Sequence, residues 1–432
     1  MQLLSSRRVR AVAAGAVALA LALTGCTATE ETITYEPPAQ VDAALPDDMV
    51  AAMQGAVENA LAASGASGAI VGVWAPWSGS WVSAIGTQSP GGEGGELSTD
   101  MSFRIADETR LMTCDVLYAL ADEGVVGLDD PIDEYVSGVS NTDGITLLDL
   151  CNGTSGFGSS EAFVKSSWLN TPAREWAPLE LAAYGLSQTP TAPHTAYSDS
   201  DAGYLLLGLA LERASRFTAS ELIAKYVTTP LGLADTSLPG SAAAPPSSGP
   251  VMKGHYLTAV EGGYDCAAPV DITELSASTG FTDSGAVSTI EDLGRYAQAE
   301  AAQALRAEDA EPARFSTPLP AHDGAPSWFQ NTGGAYLAGS LIGQYGWTPG
   351  YATSAFSDPA NGFTVAVTLN DSTSGNAIAL YLAWELAAIA SKAPAAPGQT
   401  APEFGLPFTA EQYHESISAA AIVCAAPAAA AQ

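Results

Sequence analysis

The chain has 432 residues, 47% of them hydrophobic and only 14% charged, so it carries apolar material for a sizeable core and is not disordered throughout. Acidic residues outnumber basic ones 47 to 15, a formal net charge of −32, and no Lys/Arg cluster interrupts the deficit beyond the first ten residues. That balance argues against nucleic acid as a partner, because phosphate binding needs cations that displace counterions.

In chain order, Arg7, Arg8 and Arg10 precede an apolar run over residues 11–23. The run is too short to span a bilayer comfortably and has the length of a signal-peptide core. It ends in Leu23-Thr24-Gly25-Cys26, which resembles the bacterial lipobox, in which the cysteine is acylated and becomes the mature N-terminus. Residues 1–25 are therefore expected to be a lipoprotein signal peptide. Cys26 is expected to be a lipid anchor holding the protein on the outer face of the cell membrane. Residues 26–46, with Glu30, Glu31, Pro37 and Pro38 and few large apolar side chains, read as a flexible tether.

A packed domain is expected over residues 47–392. Residues 47–63 have helical apolar spacing, 69–75 form an apolar β-branched run, and Trp77-Ser78-Gly79-Ser80 reads as a turn into a strand over 81–85. Residues 112–123 are helical in spacing, with Gly124 placed to cap the end, and 203–214 repeat the pattern. Residues 353–356 and 363–369 are strand-like around the turn Asp358-Pro359-Ala360-Asn361-Gly362, and a helix over 377–391 closes the domain. Strands and a helix at both ends with a mostly helical middle predict an α+β fold: an antiparallel sheet flanked by helices and built from both termini, with a helical insertion at about 140–275. Residues 393–432 read as an Ala/Pro-rich tail.

Four cysteines follow Cys26: Cys114, Cys151, Cys266 and Cys424. In an exported protein an even count allows two disulfides, in three connectivities; free buried thiols are the other reading. The four cysteines have no CxxC or Cys/His spacing, and the four histidines are scattered without HExxH or HxH, so neither a metal site nor a cofactor is expected.

Phe103-Arg104-Ile105-Ala106-Asp107-Glu108-Thr109-Arg110, continued through Asp122-Glu123-Gly124 and Leu128-Asp129-Asp130-Pro131, resembles the serine β-lactamase and D-alanyl-D-alanine carboxypeptidase superfamily in its class C-like branch. Thr154-Ser155-Gly156, Tyr204-Leu205-Leu206-Leu207-Gly208, Pro230-Leu231-Gly232-Leu233, Ser284-Gly285-Ala286-Val287-Ser288-Thr289 and Thr348-Pro349-Gly350-Tyr351 follow the family in order, over about residues 47 to 392. The resemblance implies a β-lactamase/transpeptidase-like fold. It also implies catalytic motifs that this chain has altered.

Active relatives continue Phe-Arg-Ile-Ala with Ser-x-x-Lys, a nucleophilic hydroxyl with an amine one turn on that can take its proton. Here Asp107 stands at the Ser position and Arg110 at the Lys position. A carboxylate is a poor acyl-transfer nucleophile, since its acyl product is a reactive anhydride, and a guanidinium stays protonated. For the family's Tyr-x-Asn, two registers compete. The ungapped one, preferred, gives Asp199-Ser200-Asp201; the alternative gives Tyr197-Ser198-Asp199. Counting back from Pro349-Gly350-Tyr351, the third motif, His-x-Gly or Lys-Thr-Gly, becomes Gln344-Tyr345-Gly346, without the cation. Ser102, Thr109 and Thr113 are nearby hydroxyls, but a step of one or two residues on a helix turns a side chain by about 100 to 200°.

Loss of nucleophile, base and cationic binder together implies a pseudoenzyme that binds a peptidoglycan-related ligand or a protein partner. The rival readings are a serine hydrolase with a rearranged site and an envelope protein whose cleft is closed by an Asp107–Arg110 ion pair. Function must be argued from the site rather than the fold. The family comparison also suggests Cys114–Cys151, since Cys151 takes the place of a core Leu and Cys114 lies two turns along the helix that follows Asp107; Cys266–Cys424 then follows by elimination. With Asp107, Asp199 and Asp201 against Arg110, the cleft is expected to be acidic.

Overall fold

The computed structural model describes residues 35–425, apart from 308, 309 and 404. The expected signal peptide and the expected lipid anchor Cys26 lie outside the described residues.

Two strands, β1 (Gly68–Ala75) and β2 (Gly79–Gly86), come from the N-terminal part of the chain. Six come from the C-terminal part: β3 (Leu319–Pro320), β4 (Phe329–Thr332), β5 (Ala335–Ala338), β6 (Leu341–Thr348), β7 (Tyr351–Ser357) and β8 (Thr364–Leu369). They form one eight-stranded sheet in the order β3-β4-β5-β6-β7-β8-β1-β2, antiparallel throughout. The two ends of the chain join where β1 pairs with β8, with Val71 opposite Val367 and Val73 opposite Val365. Both strands are near-continuous apolar runs because helices cover both faces of the sheet at its centre.

Nine helices matter here: α1 (Asp47–Ser64), α2 (Glu108–Asp122), α3 (Leu147–Cys151), α4 (Glu161–Asn170), α5 (Pro178–Leu186), α6 (Asp201–Ser215), α7 (Ile290–Ala301), α8 (Ala377–Ala390) and α9 (Ala410–Ala419). Alternation along the strands sorts the core. Ala69, Val71, Val365 and Val367 pack with α1 and α8, whereas Ile70 and Ala366 share a second core with α2, α6 and α7. The mainly helical layer between β2 and β3 runs over residues 87–318, wider than the insertion expected at 140–275, because α2 itself belongs to it.

Both flanks of the domain are corrected by the structure. Residues 35–46, expected as a tether, run along β2: Ser80 N–H donates to Ala43 O (2.9 Å), Leu45 N–H donates to Ser80 O (3.3 Å), and Leu45 is buried. Gly79 permits this approach, since a Cβ there would lie 2.4 Å from Ala43 O. Residues 393–425, expected as a tail, include α9, which packs on α8 and α1 with Phe408, Tyr413 and Ile417 buried. Both expected disulfides are present: Cys114–Cys151 ties α2 to α3, and Cys266–Cys424 ties the last segment to the hairpin at residues 259–264.

Candidate functional site

The site begins at a two-residue strand. Phe103–Arg104 pairs with Val287–Ser288, and the buried Arg104 guanidinium donates to the carbonyls of Ala244 and Leu275, both at 2.8 Å. Ala106 then takes a left-handed conformation (φ 50°), unusual for a residue with a Cβ, and turns the chain into α2. Thr109 fixes that turn: its hydroxyl donates to Ala106 O (2.7 Å) and accepts from Ala286 N–H (3.1 Å). Asp107 therefore stands just ahead of α2, pressed on β6. A Cβ at Gly346 would come within 2.2 Å of the Asp107 carboxyl carbon, so only glycine lets the two meet.

One turn on, Arg110 is buried and surrounded. It ion-pairs with Asp107 (3.4 Å), Asp199 (2.6 Å) and Asp283 (2.8 Å), and its guanidinium lies 4.9 Å from the centre of the Tyr204 ring. Asp199 comes from the segment before α6 and keeps its side chain about half exposed. Asp201, in the first turn of α6, turns away from Arg110 to accept from the amide (2.8 Å) and hydroxyl of Ser160. Tyr197 shares a hydroxyl–hydroxyl bond with Tyr336 (2.8 Å) and makes no hydrogen bond to Arg110 among the described residues. Gln344 is spent on backbone, its amide donating to Gly334 O (2.7 Å) and its carbonyl accepting from Tyr345 N–H (2.9 Å). Of the residues singled out from sequence, the structure thus gathers Asp107, Arg110, Asp199 and Gly346 at one point. Asp201 lines the same space through a different partner, and Gln344 and Tyr197 serve packing.

Two acids of the site carry no local sequence signal. Asp283 sits on the short helical turn Phe281–Ser284, aimed by another left-handed residue, Phe281 (φ 43°). Glu161 stands in the first turn of α4, which roofs the cleft: Lys165 Nζ lies 4.1 Å from the centre of the Trp347 ring, and Glu161 and Trp347 line the space together. Under that roof the remaining space is about 30 Å³, lined by five carboxylates (Asp107, Glu161, Asp199, Asp201, Asp283), Arg110, Trp168 and Trp347 among others.

The electrostatics follow from burial. Loss of water pushes the Asp107 carboxyl well above the usual carboxylate range, the charges of Asp283 and Asp199 push the same way, and Arg110 opposes them. Burial likewise raises Asp283 and Glu161, and Asp201 is pushed up to about 6 by burial and then by the charge of Asp283. Buried together on one guanidinium, Asp107 and Asp283 retain protons at pH values where exposed carboxylates have lost theirs. Among the described residues no three His, Cys, Asp or Glu side chains are arranged to hold a metal ion.

At the head of α2, among the described residues, no hydroxyl stands at the position of Asp107 with a proton-accepting amine one turn on. The hydroxyls nearest Asp107 in sequence are committed elsewhere: Thr109 to the turn, and Thr113 to the carbonyls of Thr282 (2.7 Å) and Thr109 (3.0 Å). Ser102 is buried beside Val251. Ser159 and Ser284 line the space, but neither stands at the start of α2.

An antiparallel sheet closed by both chain ends, with a cleft between the head of α2, β6 and an inserted helical layer, is the architecture of the serine β-lactamases and penicillin-binding proteins. The Beta-lactamase family model matches residues 53–388, and the chain belongs to that family. It is 32% identical over 145 residues to the D-alanyl-D-alanine-carboxypeptidase/endopeptidase AmpH of Escherichia coli (strain K12), covering 32% of this chain and 37% of that protein. Penicillin-binding protein 4* of Bacillus subtilis (strain 168) is 25% identical over 146 residues, 32% of this chain and 31% of its own length. The chain thus matches about a third of the length of these curated relatives. Among solved structures, a D-stereospecific amidohydrolase from Streptomyces sp. superposes with a TM-score of 0.64 at 23% identity, over 76% of this chain and 95% of the other. An octameric penicillin-binding protein homologue from Pyrococcus abyssi reaches 0.64 at 19% identity, over 84% and 80%. Those two likenesses concern the fold.

Proposed function

We propose that this protein is a catalytically silent member of the family, a lipoprotein anchored through Cys26 on the outer face of the cell membrane, whose altered cleft binds a ligand or protein partner without turnover. One observation carries the reading: Arg110, at the position where relatives have the proton-accepting amine, is locked by Asp107, Asp199 and Asp283. A guanidinium so paired is even less able to give up a proton, and loss of a nucleophile alone can cost on the order of 10⁶ in rate. The excess of carboxylates favours a cationic group, such as an amine of a peptidoglycan stem peptide or a basic segment of a partner, over a free carboxylate.

Intact-mass analysis after exposure to a penicillin and to a fluorophosphonate tests the silence. No adduct is expected, for the wild type or for Asp107→Ser, because Arg110 still cannot take the proton. The names of AmpH and of the Streptomyces amidohydrolase favour the rival reading, a serine hydrolase with a rearranged site; an adduct on any Ser or Thr would establish it. Calorimetry with a stem-peptide analogue, its C-terminal amide and a lysine-bearing peptide tests the charge preference. Tight binding of the free acid that survives Arg110→Ala would overturn it.

A further inference from the structure

None of the residues lining a second, larger cavity takes part in the cleft. About 320 Å³ in volume, it lies between the 35–46 segment and α7. Trp74 lines it, seated on glycine. The indole folds back over Gly72, two residues earlier on β1, and against Gly294 of α7: a Cβ would come within 2.1 Å of the ring at Gly72 and within 2.5 Å at Gly294. Neither glycine has a left-handed φ, so these positions need glycine for the space the ring takes, not for backbone freedom. Trp74 itself remains only partly buried.

Around this aromatic surface stand polar groups with bonding capacity to spare. Glu291, Arg295 and Gln298 fall on one stripe of α7, at i, i+4 and i+7. Gln298 donates to Gly362 O (2.7 Å) and Gln40 to Ala75 O (3.2 Å), each leaving its amide oxygen as an acceptor. Arg295 donates from Nε to Leu231 O (2.7 Å), and among the described residues no carboxylate lies within ion-pair distance of its guanidinium. The exposed Glu291 carboxylate has no hydrogen-bond partner among the described residues, and partial desolvation with the neighbouring Asp292 charge raises its pKa.

The chemistry of the lining selects the occupant. An anion would meet Glu291 and Asp292, a cation would meet Arg295, and an apolar molecule would cover these groups, Glu291 and Arg295 exposed and Asp292 and Gln298 half-buried, without replacing the water bonds it displaces, which is costly. A pyranose ring satisfies all of them: its C–H face suits the indole, and each hydroxyl both donates and accepts. The volume falls within the range of small-molecule sites. We propose that this cavity binds a saccharide, with one pyranose unit stacked on Trp74 and its hydroxyls bonded to Glu291, Arg295 and Gln298.

Titration of the full-length protein with chitotriose and with maltotriose, read by calorimetry and tryptophan fluorescence, tests this. Saturable binding of at least one sugar is expected, weakened about tenfold or more by Trp74→Ala and by Glu291→Ala. Glu291→Ala removes no recorded side-chain hydrogen bond, so its fold should survive even if Trp74→Ala disturbs the packing. Binding of chitotriose alone would identify an amino-sugar glycan, and binding of both a general polyol site. No binding of either at millimolar concentration overturns the proposal, as does binding that Glu291→Ala leaves intact and Arg110→Ala abolishes.

Discussion

Arg110 and Arg314 are both buried guanidinium groups that engage α2, and their surroundings differ in one respect. Arg314 bonds Asp115 and Glu300 (2.8 Å), donates to the carbonyls of Gly333 (2.8 Å) and Leu111 (3.1 Å), and all three charged side chains are at most 3% exposed. Tyr296 caps the set by donating to Asp115 (2.7 Å). Arg110 has three carboxylates instead of two, one of them, Asp199, 54% exposed, and a small space beside it. The first is a closed network that joins Glu300 of α7 and Arg314 to α2. The second has more carboxyl groups than its one cation can pair and an open side, which supports the binding role proposed above over a purely structural one.

Cutting each arginine is the strongest way to break that comparison. Arg314→Met should cost about 3–5 kcal/mol in urea unfolding, because it strands two buried carboxylates. Arg110→Met should cost less, about 1–3 kcal/mol, since its partners can protonate and Asp199 can turn to water. Equal losses would mean that both clusters are structural. Next, replacing Cys114 and Cys151 together with Ala should cost about 2–4 kcal/mol, the range for a cross-link of this kind, here with a sequence separation of 37.

The pH dependence itself is a finer test. Asp201, pushed up to about 6, and Asp371, pushed up to about 7 by burial, bind protons more readily in the folded state than in the unfolded one. Their contribution to stability is fully present below the unfolded value of about 3.9 and is lost as pH rises through about 6 and 7 respectively. The melting temperature should therefore rise by a few degrees between pH 7.5 and pH 5, and Asp201→Asn should flatten that slope. A melting temperature that falls over the same interval would show that the cleft acids are ionised in the folded state. The smallest effect expected is that of Ala106→Gly, which relieves the left-handed alanine but loosens the unfolded chain, leaving stability within about 1 kcal/mol.

Much of this was legible in the sequence because motif spacing is a property of the local chain. Asp107 and Arg110 are one helical turn apart wherever that helix lies, and the apolar runs at β1 and β8 announce central strands. Asp283 and Glu161 were not legible, since each reaches Arg110's surroundings only through the tertiary packing of a short turn or of α4. Short or Gly-interrupted strands such as β4, β5 and β6 carry too weak a period to be read alone. The helix α9 hid behind an Ala/Pro-rich composition, although Thr409, whose hydroxyl caps Gln412 N–H (3.2 Å), and the pair Tyr413 and Ile417, four residues apart, were a start signal and an apolar stripe.

The Cys266–Cys424 bond has a further consequence. Spanning a sequence separation of 158, it closes a covalent loop that contains six of the eight sheet strands. A protease that nicks the exposed residues 311–313, between α7 and β3, would open that loop without releasing a fragment. The clipped molecule would run as one band without reductant and as two with it. Until the disulfide is reduced, such damage leaves the sheet's strands covalently held together.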